Sequence, residues 1–383
     1  MRVGRRGRLI HHLILIALLW ILLAQLALGS RCLSLTSDEP SHIAAGITYL
    51  ATGELWALPL HGHPPLINAL AAWPLLLQPQ QPDWRALPGW ADDFSAYVRA
   101  VWPLLGPVER LAFVTRLPIM LMALLLAALV FRWAAELFGR TAGVLAVALV
   151  AFDPNMIAHA QLNTTDVGMA LTGFAALYAA WRATLSQSER EQWAATLLSG
   201  VLLGLTMAGK ASGFLYAPAI IAVFAWGYAS SKRSLRCVAA LRKGVGQVLT
   251  TGVAALGVLW CVYLGEVGPL PGGAVVPFPS HFGVWQTVFR DVARSAFLRG
   301  EIRTGGWWWY FPYSTAVKTP IPLLFGALLT AAVWLRSGRR EWQRTLPLLV
   351  FPALYWATAI HSKMNIGHRH LLPTFPFVYV LVG

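Results

Sequence analysis

Apolar residues along this 383-residue chain gather into long segments that are separated by shorter polar connections. A helix that crosses the apolar core of a membrane needs about 20 predominantly apolar residues, and several of these segments approach that length. The predicted spans are residues 9–29, 117–137, 142–158, 167–185, 194–208, 214–229, 245–264, 321–335, 346–360 and 371–383. The pattern therefore predicts an all-α, polytopic transmembrane bundle.

The first apolar segment follows a basic start that contains Arg2, Arg5, Arg6 and Arg8. A basic start and an apolar core are typical of a signal peptide, but this segment is long for that role. We interpret it as a retained first span with a cytoplasmic N-terminus. A loop over about 30–115 follows it, rich in Trp, Pro and His. Within the loop, residues 41–53 and 66–77 have helical, partly apolar patterns that predict amphipathic helices at the membrane interface.

The last apolar segment ends with the chain after about 13 residues, which is short for a span. The alternatives are an incomplete final helix and a fragment that lacks its C-terminal part, and we expect the fragment. Residues 1–383 are accordingly predicted to form one transmembrane domain with a truncated C-terminus.

Composition and charge agree with a membrane protein. The chain is 57% hydrophobic and 12% charged, with a mean hydropathy of +0.58, which excludes an ordinary soluble globule. The net charge of +14 would suggest nucleic acid in a soluble protein. Here more than half of the basic residues lie at the N-terminus or in short connections on the same predicted side, as the positive-inside rule expects. No nucleic-acid partner is predicted.

The acidic residues support the same orientation, because all but four of the 16 fall on the opposite side, the exceptions being Glu136, Glu189, Glu191 and Glu341. The sequence therefore predicts Trp90 outside and Arg236 in the cytoplasm, with a multi-pass location in a bacterial inner or cell membrane. The three cysteines are too few and too scattered for a metal motif or a disulfide framework.

Polar side chains collect near the predicted outer boundary of the membrane. Charged residues beside a span are costly unless they face a cavity and act there. Acids able to take a proton from a hydroxyl, mixed with cations able to hold a phosphate, suit transfer from a phosphate leaving group. The residues of this set are Asp38, Glu39, His42, His61, His63, Asp153, His159, Asn163, Asp166, Lys210, Lys318, Lys363, His368 and Arg369.

The order of these polar motifs resembles a known family. The chain is similar to the C-type integral-membrane glycosyltransferases, and most similar to the branch of protein O-mannosyltransferases and the aminoarabinose transferase of lipid A. The resemblance runs in order from residue 36 to residue 376. The motifs that carry it are Thr36-Ser37-Asp38-Glu39, His63-Pro64-Pro65-Leu66 (Lys-Pro-Pro-Leu in that branch), Phe152-Asp153-Pro154-Asn155 through Thr164-Thr165-Asp166, Gly204 through Lys210, Tyr310-Phe311-Pro312-Tyr313, Lys318-Thr319-Pro320 and Ile366 through Pro373.

The resemblance implies an inverting hexosyl- or pentosyltransferase that takes a sugar from a polyprenyl-phosphate donor at the outer face of the membrane. The acceptor would be a hydroxyl or other nucleophile on a protein, lipid or polysaccharide. Asp38 would be the catalytic base, and Glu39 would orient the base or the acceptor. The substrate-binding residues that it implies are His63, Asp166, Lys210, Lys318, Lys363 and Arg369. Histidine in place of lysine at position 63 is a departure, because His is only partly charged near neutral pH.

Other interpretations stay open at the level of sequence. His42, His61 and His63 could bind a divalent metal together with Asp38 or Glu39, although no cofactor is firmly predicted. Residues 307–309, three consecutive tryptophans, suit an interfacial belt or a surface on which a sugar or lipid stacks. A secondary transporter would also be polytopic, but its polar residues would lie near the midplane. A non-catalytic membrane protein of the same fold is the remaining alternative.

Overall fold

The computed structural model describes residues 5–79, 81–230, 238–289, 294–336, 338–365 and 367–383. Three residues named in the sequence analysis lie outside these ranges, namely Arg2, Arg236 and Ile366, as does Cys237, one of the three cysteines.

The described residues are mostly helical, as predicted. The α-helices are α1 (Arg5–Arg31), α2 (Glu39–Thr52), α3 (Ala57–His61), α4 (Pro65–Ala72), α5 (Phe94–Val101), α6 (Val108–Phe138), α7 (Arg140–Phe152), α8 (Pro154–Ala160), α9 (Asp166–Leu185), α10 (Glu189–Gly209), α11 (Tyr216–Ser230), α12 (Val238–Val262), α13 (Pro279–Phe289), α14 (Tyr310–Lys318), α15 (Ile321–Arg336), α16 (Arg339–His361) and α17 (Phe375–Val382). Short 3-10 helices cover Trp73–Leu77, Trp84–Ala86, Trp102–Leu104, Ala211–Leu215 and His368–Thr374.

The predicted apolar segments are mostly helical in the structure, with a break at Asp153 within 142–158 and a turn at the end of 245–264. The prediction of a polytopic helical protein is confirmed. Among the described helices, five are long and apolar enough to cross a membrane, within α1, α6, α10, α12 and the stretch Ala211–Ala229. The number rises to seven if each of two bent helix pairs counts as one span.

Both bends have a local cause. α7 and α8 meet at 63°, where Asp153 leaves the helical conformation and its carboxylate accepts a hydrogen bond from the Asn155 backbone N–H at 2.8 Å. This side-chain cap starts a new helix, with Pro154 in its first turn. α14 and α15 meet at 115° just before Ile321, where Pro320 disfavours helix at Thr319.

Two small β-hairpins interrupt the helical pattern and were not predicted. β1 (Val267–Pro269) pairs antiparallel with β2 (Val275–Pro277), and β3 (Ser295–Leu298) pairs antiparallel with β4 (Glu301–Thr304). Both hairpins lie between α12 and α14, in a segment that the apolar pattern left as a connection.

The first long loop has a hydrophobic core of its own. Ile43 and Ile47 of α2 pack with Trp84, Tyr97 and other buried side chains of the loop. α2 and α4 approach closely at Gly46, where a Cβ atom would collide with the carbonyl of Asn68. Because these side chains bury one another, the loop is a folded unit that packs on the membrane helices.

Small residues bring α10 and α12 into close contact. Gly200 and Gly204 lie one turn apart on α10 and face the backbone of α12 at Thr251 and Ala255. This spacing is the small-xxx-small pattern that lets membrane helices approach. A second cluster of buried residues includes both Leu58 of α3 and Ala208 near the end of α10. The turn after α3 and Lys210, the residue that follows α10, line the same cavity.

Candidate functional site

A cavity of about 710 Å³ opens where the first loop meets the ends of several membrane helices. Its walls come from the loop before α2, the turn after α3, the start of α9, the ends of α10, α13 and α16, and the final 3-10 helix. Seven of the candidate residues from the sequence line this cavity: Asp38, His42, His61, His63, Asp166, Lys210 and Arg369. Side chains that are up to 331 positions apart in sequence therefore share one site.

Asp38 is the acid most accessible to a ligand in the cavity. Its side chain is 43% exposed, and its Oδ2 accepts a hydrogen bond from Nη2 of Arg369 at 2.8 Å. Burial alone would raise the pKa of Asp38, but the hydrogen bond and charge of Arg369 outweigh burial and hold that pKa below its usual value. Asp38 is therefore a carboxylate at neutral pH, as a general base must be.

Asp166 and Lys210 form a buried ion pair on the cavity wall. Asp166 is the first residue of α9, where the positive end of the helix dipole favours a carboxylate. Lys210 follows α10 in an extended conformation that turns its side chain toward Asp166. Because each charge is satisfied by the other, the pair gives the wall a fixed polar surface.

Glu39 lies away from the cavity, although it is adjacent to Asp38 in sequence. Its carboxylate accepts two hydrogen bonds from Arg116 of α6, both at 2.7 Å, and both side chains are fully buried. It also accepts from the backbone N–H groups of Thr36 and Asn163, each at 2.8 Å. Burial would raise the pKa of Glu39, but these donors together hold it below its usual value.

Arg116 completes this connection on the other side. Its guanidinium donates to the carbonyls of Ser30 and Leu33, each at 3.0 Å, and of Ser34 at 2.9 Å. The Glu39–Arg116 pair therefore ties the end of α1, the start of α2 and the turn before α9 to one point on α6. The sequence analysis missed Arg116. The available signal was a single charged residue inside the otherwise uncharged stretch from Leu111 to Leu126.

Lys318 and Lys363, two further predicted binding residues, do not line this cavity. The backbone carbonyl of Lys318, at the end of α14, accepts a hydrogen bond from the side chain of Asn155 at 2.9 Å. Lys363 lines a smaller neighbouring pocket of about 430 Å³ together with Trp307 and Trp308. His361 and Ser362 line both spaces, so the smaller pocket adjoins the cavity.

Three histidines meet on the first-loop side of the cavity. His61 and His63 flank Gly62, whose left-handed conformation (φ 75°) reverses the chain so that both rings face His42 of α2. Burial lowers the pKa of His61 and of His63 well below the usual value, with further lowering from neighbouring positive charge. Both imidazoles are therefore neutral near pH 7.

Several buried polar atoms around the cavity have no hydrogen-bond partner within the described part of the chain. They include Oγ1 of Thr164, the side-chain amide of Asn163, Nδ1 of His63 and Nε2 of His370. Buried polar groups are normally satisfied, so a cluster of unsatisfied groups points to a polar ligand. His370 belongs to a motif that the sequence analysis had quoted without giving this residue a role. Arg294 also lines the cavity and was not predicted.

Comparisons with known proteins agree with this architecture. Residues 104–253 match the family model of dolichyl-phosphate-mannose-protein mannosyltransferases. The chain resembles the crystal structure of ArnT from Cupriavidus metallidurans bound to undecaprenyl phosphate, at 15% identity and a TM-score of 0.61, over 99% of this chain and 60% of that one. No functionally curated protein matches the sequence.

An archaeal enzyme shows the same fold. The oligosaccharyltransferase of Archaeoglobus fulgidus tethered with an acceptor peptide matches at 13% identity and a TM-score of 0.58, over 97% of this chain and 49% of that one. A structure of the same organism's AglB with an inhibitory peptide and a dolichol-phosphate matches at 14% identity and a TM-score of 0.54, over 99% and 50% of the two chains.

The chain thus has the fold of the C-type integral-membrane glycosyltransferases and is a multi-pass membrane protein. The predicted resemblance to the branch that contains the protein mannosyltransferases and ArnT is confirmed. The chain spans 60% of the length of the ArnT structure and about half of the oligosaccharyltransferase structures that it matches.

Proposed function

We propose that this protein is an inverting glycosyltransferase that moves a sugar from a polyprenyl-phosphate donor to a nucleophile on an acceptor at the extracytoplasmic face. The observation that carries the proposal is the cavity in which a partly exposed carboxylate, Asp38, lies beside cations. ArnT binds undecaprenyl phosphate and AglB a dolichol-phosphate in the structures that this fold matches, which supports a lipid-phosphate donor.

The cations in the cavity suit a phosphate. Lys210, Arg294 and Arg369 line it, against the two carboxylates of Asp38 and Asp166, so the charged side chains leave a positive balance. Arg369 is 30% exposed and donates to Asp38 through one nitrogen, which leaves other N–H groups of its guanidinium for a phosphate oxygen. Arg369 would thus contact both the catalytic base, Asp38, and the phosphate of the leaving group.

One wall of the cavity is apolar and suits the lipid part of the donor. It includes Phe214 and Leu215 after α10, and Val288 and Phe289 at the end of α13. Phe214 packs against Phe289, with ring centroids 6.0 Å apart, so the two form a continuous aromatic surface. An isoprenoid chain on this surface would place its phosphate near Lys210, which adjoins the same 3-10 helix.

The chemistry follows from this placement. Asp38 takes the proton from the acceptor hydroxyl while the acceptor oxygen forms a bond to the anomeric carbon of the sugar. The bond from that carbon to the phosphate oxygen breaks on the opposite face, and its electron pair leaves with the polyprenyl phosphate. The anomeric configuration inverts. The leaving phosphate needs no proton, because nearby cations stabilise its charge.

Photo-crosslinking tests donor binding directly. The full 383-residue chain, reconstituted in lipid nanodiscs, is incubated with a photoreactive polyprenyl-phosphate sugar and analysed by mass spectrometry. Saturable crosslinks at Phe214 or Phe289, displaced by unlabelled polyprenyl phosphate, are expected. Turnover with an acceptor then separates a transferase from a non-catalytic protein. Absence of saturable crosslinking in the cavity would contradict the proposal, and net movement of the donor across the membrane would favour a transporter.

Arg369→Ala is expected to weaken donor binding about tenfold to a hundredfold, because a charge-assisted hydrogen bond contributes about 1.5–3 kcal/mol. It should also change the pH dependence of transfer. Without Arg369, the burial of Asp38 is less opposed and its pKa rises, so the rate should begin to fall at a higher pH on acidification. Donor titrations and pH–rate profiles check both effects.

Arg99→Ala, an exposed change on α5 outside the cavity, is the matched control for Arg369→Ala. A variant lacking Arg369 with the parental donor affinity and the parental pH profile would remove Arg369 from the site.

Sidedness has a separate test. In a background without the three cysteines, Asp92→Cys in the first loop should react with a membrane-impermeant thiol reagent on intact cells, whereas Arg190→Cys in α10 should react only after lysis. Both positions are exposed in the structure. The reverse labelling pattern would place the first loop, and with it the cavity, on the cytoplasmic side.

A further inference from the structure

We propose that His42, His61 and His63 form a binding site for a divalent transition-metal ion of the Zn²⁺ type, open to the cavity beside Asp38. The three side chains each offer one ring nitrogen, and these nitrogens lie within 4.8 Å of one another. All three residues line the cavity. Imidazole is a preferred ligand of Zn²⁺ and related ions, and three protein ligands with one open position are typical of reactive zinc sites.

The geometry is close to that of a bound ion. Two nitrogens that bind one tetrahedral Zn²⁺ at about 2.0–2.1 Å lie about 3.3–3.4 Å apart. The nitrogens lie within 4.8 Å of one another, so side-chain rotations would have to bring them about 1.5 Å closer around an ion. The His42 and His61 rings are already in contact, with Nδ1 of His42 3.1 Å from Nε2 of His61. Gly62 supplies the turn that aims His61 and His63 at the same point.

Asn68 makes the kind of hydrogen bond that commonly orients metal-binding histidines. Its Oδ1 lies 2.9 Å from Nδ1 of His42, and an amide oxygen can only accept a hydrogen bond. Nδ1 of His42 therefore carries the proton, which leaves the lone pair of Nε2 for a ligand. Asn68 is itself fixed by the close approach of α4 to Gly46.

His63 supplies the second, independent indication. Its Nδ1 is buried and has no hydrogen-bond partner in the described structure. A buried imidazole nitrogen that is left unpaired loses its hydration without compensation, which is costly unless a ligand binds there. A metal ion shared with His42 and His61 satisfies this nitrogen.

The site also has a consequence for the donor, and this part rests on the proposed function. A histidine cluster that carries a divalent ion would add positive charge to the cavity that Lys210 and Arg369 also line. Because all three histidines line the cavity that holds Arg369 and Asp38, we infer that a phosphate oxygen of the donor would be the further ligand of a bound ion.

The test measures metal directly. Purified chain in detergent is stripped with a chelator, dialysed against buffer with and without added Zn²⁺, and analysed by elemental mass spectrometry; Co²⁺ serves as a spectroscopic probe. About one ion per chain is expected, with a Co²⁺ spectrum of histidine ligation. His61→Gln and His63→Gln should each weaken binding by at least about tenfold, since even outer partners contribute that much.

His281→Gln is the matched control, because His281 is also buried and hydrogen-bonded, to Tyr263 at 3.0 Å, but lies outside the cluster. It should bind one ion like the parent protein. Size-exclusion profiles establish that each variant is folded. Failure of the folded parent to bind Zn²⁺ or Co²⁺, or binding that the cluster variants leave unchanged, would overturn the site.

Donor crosslinking with and without Zn²⁺ separates the two proposals. Crosslinking that rises with Zn²⁺ in the parent, and not in His63→Gln, supports a metal-held phosphate. Equal crosslinking in both conditions overturns the phosphate role while the transferase proposal stands. Zn²⁺ binding without any donor crosslinking keeps the metal site and contradicts the transferase.

Discussion

Asp38→Asn is expected to lower the rate of sugar transfer by at least about a hundredfold, while the protein stays folded and still binds donor. General-base contributions are typically ~10²–10⁴-fold, and an amide cannot take the acceptor proton. Donor binding should stay equal or become tighter, because the substitution removes a negative charge beside Arg369. Transfer kinetics and donor titrations on the same purified variant measure both quantities.

Asp92→Asn is the control for Asp38→Asn, since Asp92 is an exposed acid of the same loop outside the cavity. It should transfer at the parental rate. Near-parental transfer by Asp38→Asn would exclude Asp38 as the base. The base would then have to be Asp166, the other carboxylate that lines the cavity, although Asp166 is buried and paired with Lys210.

Glu39→Gln is expected to act on stability first. Breaking a buried ion pair by removing one partner costs about 3–5 kcal/mol, because the remaining charge stays buried without compensation. Arg116, fully buried, would be that charge. The free energy of unfolding, measured by chemical denaturation in micelles, should fall by this amount. Per folded molecule, transfer should fall less than in Asp38→Asn, because Glu39 only positions its neighbour.

Glu54→Gln provides the comparison for a surface pair. Glu54 binds Arg85 at 3.0 Å with both side chains largely exposed, and such pairs contribute about 0–1 kcal/mol. A double variant, Glu39→Leu with Arg116→Met, should cost less than the sum of its single changes, because it leaves no unpaired charge. If Glu39→Gln and Glu54→Gln had equal effects, the buried pair would have no structural role.

The helices were largely predictable because membrane spans follow from local composition. A long apolar segment has few alternatives to a helix in lipid, where every backbone polar group must be paired within the chain. The prediction was less accurate where local polarity competes with the pattern. α6 begins at Val108, nine residues before the predicted span, and residues 142–158 are broken at Asp153. The two β-hairpins depend on pairing that apolar runs do not encode.

The candidate site was predictable in its members and not in its geometry. Four of its charged residues were recognisable at the ends of apolar segments: Asp38, Asp166, Lys210 and Arg369. A charged side chain there raises the free energy of the folded protein unless it has a partner or a function. The residues themselves could not separate Asp38 from Glu39, which are adjacent and chemically alike, and only the family resemblance gave them different roles. The helix that begins at Glu39 turns its side chain toward Arg116 and leaves Asp38 at the cavity.

The sequence by itself determined the class of this protein: a helical membrane protein whose polar residues gather at one boundary, because hydropathy and charge act locally along the chain. Only the tertiary structure decided which of those residues meet. The partners Asp38 and Arg369, and Glu39 and Arg116, are 331 and 77 positions apart. The convergence of His42, His61 and His63 likewise depends on how α2 packs on α4 and on the turn at Gly62. Such contacts arise from the packing of whole helices, which no local pattern specifies.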